Sequence, residues 1–341
     1  MAENIRKIAQ FIKRFVDREG CMEFDVSAVC AIVEYSSRTA ERQDKLSTRF
    51  NHLAEILCEA VTWAKLEGAE LVTAAHIQKT IYEKEQRMKL YEEKLDEMLE
   101  ENVIMIDTEG AEIGQINGLA VLDMGNYAFG NPSRITATTY VGKSGIVNIE
   151  KEARLSGQTH DKGVQIITGF LGQTYAQNFP LSLSCRVCFE QNYNGIDGDS
   201  ASSTELYCIL SSLAELPIRQ DLAVTGSVNQ KGEIQAIGGV THKIEGFFDL
   251  CRKRGLTGTQ GVIIPVSNVK DLVLKDEVVQ AVKEGLFHIY PISKIDEGIE
   301  LLMGLSAGKK NKAGNFPANS VHGRVMKKLK AFDKRAQGEE E

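Results

Sequence analysis

Two stretches of this chain combine residue types that can do covalent chemistry. The first is Gly195-Ile196-Asp197-Gly198-Asp199-Ser200-Ala201-Ser202-Ser203. It follows a segment that reads as a strand. It opens one whose apolar residues, Leu206, Ile209, Leu210 and Leu213, recur at helical spacing. A serine at a strand–turn–helix junction lies beside main-chain N–H groups that have no partner inside the helix and carry partial positive charge. Such groups can stabilise the oxyanion that forms when a serine attacks a carbonyl. The plainer alternative is that Ser200 or Asp199 only caps the helix.

A serine hydroxyl is a weak nucleophile until a base takes its proton. The second stretch, Ile237-Gly238-Gly239-Val240-Thr241-His242-Lys243-Ile244-Glu245-Gly246-Phe247, is a glycine turn that starts another helix and offers two bases. Neighbours on a helix point about 100° apart, so His242 and Lys243 cannot both face one site. Lys243 shares its face with Phe247, and His242 shares its face with Glu245 and Gly246. The lysine is therefore placed nearer the apolar side. That suits a lysine base, because desolvation lowers its pKa and favours the neutral amine. Two alternatives remain open on spacing alone: an exposed helix lysine, and a Ser-His-Asp triad drawing on His160 or His242.

The elements that must hold these residues fall into two textures. Residues 1–101 read as helices. Ile5, Ile8, Ile12, Phe15 and Val16 share a face before Gly20, and Asp25 can cap a second helix carrying Val29, Ile32 and Val33. A third helix runs from about Leu46 to Leu66, and Thr73 can cap a fourth that continues through Glu83–Glu101 as a charged, solvated spacer. From 102 to 305 glycines and β-branched runs appear. Val103–Asp107, Ile116–Asp123, Arg134–Val141, Leu181–Phe189, Leu222–Val228 and Val262–Pro265 read as strands. His160–Ala176, Ser200–Leu213, Val240–Arg254 and Asp276–Glu284 read as helices between them. The fold class is α+β, an all-α domain followed by a mixed α/β domain. Residues 306–341 carry nine Lys/Arg against four Asp/Glu and read as a flexible basic tail with a short helix at Val325–Phe332.

Composition narrows the function classes. With 43% hydrophobic and 26% charged residues the chain is not disordered throughout. No apolar run approaches the roughly 18 residues of a membrane span. The net charge of −7 argues against nucleic acid as the main partner. Seven cysteines do not form a disulfide scaffold. Cys185 and Cys188 fall on opposite faces of a strand with no second pair to complete a zinc site, so they read as unlinked thiols and fit a reducing, cytoplasmic setting. The histidines show no metal-ligand spacing, so no metal site is expected.

Asn194–Phe248 resembles the proteolytic domain of the Lon protease family, B-type branch. Asp197-Gly198-Asp199-Ser200-Ala201 matches the family's nucleophile motif, and Gly238-Gly239-Val240-Thr241-His242-Lys243 its general-base motif, with a matching separation of 43 residues. The resemblance implies Ser200 as nucleophile and Lys243 as base. It also implies Thr225 as the threonine that hydrogen-bonds the lysine amine, and Asp197 as an acidic residue beside the nucleophile. Gly114–Val121, Arg134–Thr136 and Ile149–Gly163, including His160-Asp161-Lys162-Gly163, resemble the same domain. Upstream, Phe24–Glu85 resembles the small helical lid of a AAA+ ATPase, where Arg38, with Arg42 as second choice, falls at the nucleotide-sensing arginine. Membership further implies a six-fold ring and unfolded protein substrates.

One departure matters. The family's ATPase needs a phosphate loop, and the nearest candidate, Gly142-Lys143-Ser144, has Ala137 at the first glycine position and lies between strands. A fragment of a longer polypeptide or an ATP-independent relative is expected, with ATP and magnesium involved only if an upstream ATPase domain is present. The rival expectation is non-catalytic: a docking or assembly module with a protease fold.

Overall fold

The computed structural model describes residues 1–338. Two compact units emerge, each with its own apolar core.

The first unit comprises Met1–Asp96 with the short segments Asp123–Ala128 and Lys270–Leu274. Its helices are α1 (Ala2–Glu19), α2 (Val26–Thr39), α3 (Phe50–Leu66) and α4 (Ala74–Met88), followed by α5 (Leu90–Glu100). Helix α1 buries the stripe Ile8, Ile12, Phe15 and Val16 and stops at Gly20, whose φ of 58° is left-handed. Asp25 caps α2, accepting from the Ala28 N–H at 2.8 Å. Ile32, Leu53, Ile56, Leu57 and Ile77 close the core. Two boundaries differ from the sequence reading. Helix α3 starts at Phe50 rather than near Leu46, and the fourth helix breaks at Lys89.

The second unit holds a seven-stranded sheet. Its strands are β2 (Gln115–Asp123), β3 (Ala128–Val141), β4 (Gly145–Asn148), β5 (Leu183–Phe189), β7 (Leu222–Val224), β10 (Gly261–Pro265) and β11 (His288–Ile292). They lie in the order β11-β10-β7-β2-β3-β5-β4. The β11–β10, β10–β7 and β7–β2 pairs are parallel, and β3–β5 is antiparallel. Two small ribbons pair β1 (Ala111–Glu112) with β6 (Ile218–Arg219), and β8 (Ser227–Val228) with β9 (Ile234–Gln235). The helices are α6 (Ile149–Glu152), α7 (Gln158–Tyr175), α8 (Ser202–Ala214), α9 (Val240–Arg254), α10 (Asp276–Lys283), α11 (Ile295–Met303) and α12 (Val321–Gln337).

Three sequence expectations are corrected here. Val103–Asp107 is irregular chain rather than a strand. The run Leu222–Val228 is not continuous. It breaks at Thr225-Gly226, where the Thr225 N–H donates to Ile263 O and the Gly226 N–H to Ser200 O. The basic segment 306–341 is not a loose tail over its described part. Helix α12 runs about twice as far as expected, over 17 residues, and buries Val321, Val325, Leu329 and Phe332 in the main core against α8 and β5. Lys327, Lys330 and Lys334 are exposed on the other side, which is why composition alone suggested a solvated segment.

Candidate active site

Helix α8 is buried on every side, so the turn that precedes it is held firmly. Ser200 sits half-exposed in that turn, two residues before the helix starts. Neither Ser200 nor Asp199 caps α8. The N-cap position is Ala201, and the Asp199 carboxylate instead accepts from Ser227 Oγ at 2.8 Å. The Ser200 hydroxyl is thus left to another partner.

That partner comes from α9. Two glycines let this helix press against β3: a Cβ on Gly130 would lie 2.0 Å from His242 O, and one on Gly246 would lie 2.2 Å from Gly130 O. The close approach buries Lys243, which is 3% exposed. Its Nζ donates to Ser200 Oγ at 2.8 Å and to Thr225 Oγ1 at 3.1 Å. Thr225 is buried in the strand break, and its own hydroxyl hydrogen goes to Ser200 O at 3.3 Å. With that hydrogen committed, Thr225 Oγ1 can only accept from the lysine. A neutral amine held this way keeps its lone pair for the serine proton.

Burial pushes the Lys243 amine down to about 8, against an opposing pull from the Asp199 carboxylate. The neutral amine is therefore the minor form at pH 7 and reaches about half near pH 8. Around Ser200, the main-chain N–H groups of Asp199, Ser200 and Ala201 have no acceptor among the described residues. These are the donors that an oxyanion beside Ser200 would need.

Asp197 is brought close in sequence but turned elsewhere. Its carboxylate accepts from the N–H groups of Gly198 at 2.8 Å, Thr159 at 3.1 Å and His160 at 3.3 Å. Those backbone bonds hold its pKa below the usual carboxylate range. It anchors the Ser200 loop to the start of α7. The His160 ring is buried against Asn148 and Glu205 rather than on the Ser200 hydroxyl, and His242 is half-buried on another face of α9 from Lys243. Cys185 and Cys188 are both free thiols.

Arg38 and Arg42 lie in the first unit. Arg38 donates to Val273 O at 2.8 Å, and Arg42 pairs with Asp44 and Asp271. In the second unit, the turn Gly142-Lys143-Ser144 spends its Gly142 and Ser144 amides on Ser182 O and Ser184 Oγ, so these residues do not fit a phosphate cradle.

Sequence reasoning missed Glu205. It is the one charged side chain in α8, fully buried, with neither carboxyl oxygen hydrogen-bonded among the described residues. Burial drives its pKa well up, so the group is held uncharged. A lone glutamate in an otherwise apolar and small-residue helix was the available signal.

Known proteins give the class. Residues 187–304 match the Lon protease (S16) C-terminal proteolytic domain, and residues 23–87 match the archaeal LonB AAA+ ATPase lid domain. With both domains in this order, the chain belongs to the Lon protease family.

Among individual relatives, a putative Lon protease homolog of Escherichia coli is 44% identical over 63% of this chain and 37% of its own length. One from Haemophilus influenzae is 35% identical over 92% of this chain and 52% of its own. An archaeal Lon protease of Pyrococcus abyssi is 31% identical over 90% of this chain and 29% of its own. The chain spans about half or less of the length of these relatives.

Proposed function

We propose that this chain is a serine endopeptidase acting on unfolded protein, with Ser200 as nucleophile and Lys243 as general base. The observation that carries the reading is the 2.8 Å contact between Lys243 Nζ and Ser200 Oγ, made by an amine whose burial lowers its pKa to about 8. In this reading the neutral amine takes the Ser200 proton as Oγ bonds to the peptide carbonyl carbon. The oxyanion is met by main-chain N–H groups of the Asp199–Ala201 turn, each such donor being worth about 3 kcal/mol of barrier. The lysine returns its proton to the leaving amine, and the C–N bond breaks to leave an acyl-enzyme. A water then repeats the sequence and frees Ser200. Thr225 orients the lysine and Asp197 fixes the loop.

Unfolded protein substrates and assembly as a homo-hexameric ring are part of this proposal and rest on the resemblance to the Lon family. ATP and magnesium would act only if an upstream ATPase domain is present, with Arg38 or Arg42 as the lid's nucleotide sensor. Seven free thiols fit a reducing compartment such as the cytoplasm.

The test is casein cleavage by the parent chain and by Ser200→Ala, together with labelling by a fluorophosphonate. The parent should cleave and should label at Ser200, and Ser200→Ala should do neither while keeping its circular dichroism. A parent that neither cleaves nor labels would favour a docking module with a protease fold.

A further inference from the structure

A circuit of bonded and hydrogen-bonded residues closes around Ser200 and Lys243. Asp199 precedes Ser200 in the chain, Ser200 Oγ is 2.8 Å from Lys243 Nζ, and Nζ is 3.1 Å from Thr225 Oγ1. Gly226 and Ser227 follow Thr225, and Ser227 Oγ returns to Asp199 Oδ2 at 2.8 Å. The mechanism above uses every link but the last.

Ser227 is 2% exposed and is held from several sides. It opens β8, where it pairs with Gln235 of β9. The Val228 N–H donates to Ser202 Oγ at 3.0 Å and pins this ribbon to the start of α8. The Gly226 N–H, on Ser200 O at 2.8 Å, ties the same segment to the Ser200 turn. A hydroxyl has one hydrogen to give. Gln235 Oε1 lies 3.4 Å from Ser227 Oγ, so the hydrogen goes to the nearer Asp199 carboxylate.

That carboxylate belongs to the residue next to Ser200, and neighbouring Cα atoms are only about 3.8 Å apart. It is the one acidic group whose charge is felt at the Lys243 amine. The other ionisable groups around the amine are spent or uncharged. Asp197 accepts from the Gly198, Thr159 and His160 amides, Glu245 of α9 accepts from the Lys275 N–H at 2.9 Å, and Glu205 of α8 is uncharged. His242 lies on another face of α9. The neighbouring strands bring Gly130 and Ile263, which carry no charge. Yet the amine contacts Ser200 and Thr225, and no ion pair to Asp199 forms among the described residues. Opposite charges in contact favour the protonated amine, and strongly so where water is scarce. Such an ion pair would keep Lys243 charged and unable to take the Ser200 proton. The hydrogen bond from Ser227 compensates the carboxylate where it stands.

We propose that Ser227 is a positioning residue: its hydroxyl holds the Asp199 carboxylate at the strand break and so prevents it from closing an ion pair on Lys243. This rests on the peptidase reading above.

The pH profile of casein cleavage by the full chain tests it. Ser227→Ala should raise the midpoint of kcat/KM by about one pH unit, the lower end of what a contacting opposite charge does. The loss should be about tenfold at pH 7, and the two proteins should converge above about pH 10, where the lysine is neutral in both. Asp199→Asn has no charge to pair, so its midpoint should fall below that of the parent. Adding Ser227→Ala to Asp199→Asn should then move the midpoint by less than about 0.3 unit, because the double-mutant cycle isolates the coupling between the two residues. Ser227→Thr keeps the hydroxyl and should stay within about 0.3 unit of the parent.

A purely structural role would lower the rate equally at every pH, and an unmoved midpoint in folded Ser227→Ala would overturn the proposal. A full rise of the midpoint in the Asp199→Asn background would overturn it as well. If Ser227→Ala does not fold, Ser227→Cys decides: its thiol is a weak donor, so the midpoint should rise by about half a unit, and no rise sinks the proposal. The amine can also be followed without catalysis, through the pH dependence of the Lys243 Cε carbon-13 shift, which should titrate higher in Ser227→Ala than in the parent. If the parent does not cleave casein, the peptidase reading fails, and an unmoved Cε titration would then overturn this inference separately. If the parent cleaves and neither midpoint moves in Ser227→Ala, only this inference fails.

Discussion

The two units bury polar groups in opposite ways. In the helical unit the buried polar side chains over residues 1–96 are Ser36, Ser47, His76 and Thr80. Each is satisfied locally: Ser36 Oγ accepts from the Ser47 N–H, Ser47 Oγ from the Arg49 N–H, His76 Nδ1 from the Thr73 N–H, and Thr80 Oγ1 donates to His76 O. No lysine, aspartate or glutamate is buried there. The second unit buries Lys243, Glu205, Glu150 and His160, and leaves both Glu205 oxygens without a hydrogen bond among the described residues. Burying an ionisable group costs free energy unless the surroundings compensate or the group gives up its charge. The first unit avoids that cost in its core, whereas the second accepts it where it places Ser200 and Lys243. Perturbed ionisable groups concentrate at functional sites for this reason.

The contrast can be broken or sharpened by substitution. The largest expected effect is on catalysis. Lys243→Met keeps the stem but removes the amine and should lower kcat/KM for casein by about four orders of magnitude or more, as loss of a member of a catalytic set does. Retained activity in a folded Lys243→Met protein would remove the reason for burying the amine. In the parent, kcat/KM should fall about tenfold per pH unit below a midpoint near pH 8, because only the neutral lysine can accept the serine proton. A flat profile between pH 6 and 9 would count against Lys243 as base.

Next in size is packing. Leu329→Ala on α12 should cost about 3 kcal/mol in urea denaturation, within the range for a buried leucine. A loss below 0.5 kcal/mol would restore the picture of a loose basic tail.

Lys243→Met should also stabilise the fold. Below pH 8 the amine is protonated in both folded and unfolded chains, and the folded state bears the full cost of its burial. Between pH 8 and the ordinary value of 10.5 only the unfolded chain holds the proton, so parental stability rises with pH across this window. The gain from Lys243→Met should approach about 3 kcal/mol at pH 7 and fade above pH 10.5, readable from denaturation midpoints at the two pH values. A variant less stable than the parent at pH 7 would mean that the amine contributes net stability.

The smallest expected effect falls in the helical unit. Asp25→Ala removes the α2 cap and should cost about 1 kcal/mol in thermal unfolding, while leaving the pH midpoint of cleavage unmoved. A shifted midpoint would show that the two units do not keep their polar burial separate.

Local pattern determined much of this protein. The stripe Ile8, Ile12, Phe15 and Val16, the stop at Gly20, the Asp25 cap and the span Val240–Arg254 follow from periodicity and from capping chemistry, which act within a turn or two of chain. The Ser200 turn and the apolar face of Lys243 were legible for the same reason. Local pattern misjudged the remainder, because the deciding partners lie far away in sequence. Helix α12 reads as a solvated tail until α8 and β5 are present to cover its apolar face. Strand β11 and helix α11 gain their definition from β10 and the main core. Asp197 reads as a neighbour of the nucleophile, yet its carboxylate goes to α7, because the Thr159 and His160 amides at that helix start need an acceptor. Residue types and spacing thus narrowed the groups that could react to Ser200 with a lysine or histidine base. Whether a lysine 43 residues from a serine sits 2.8 Å from it and has its pKa lowered depends on how tightly two glycines let α9 close on β3, and only tertiary packing decides that.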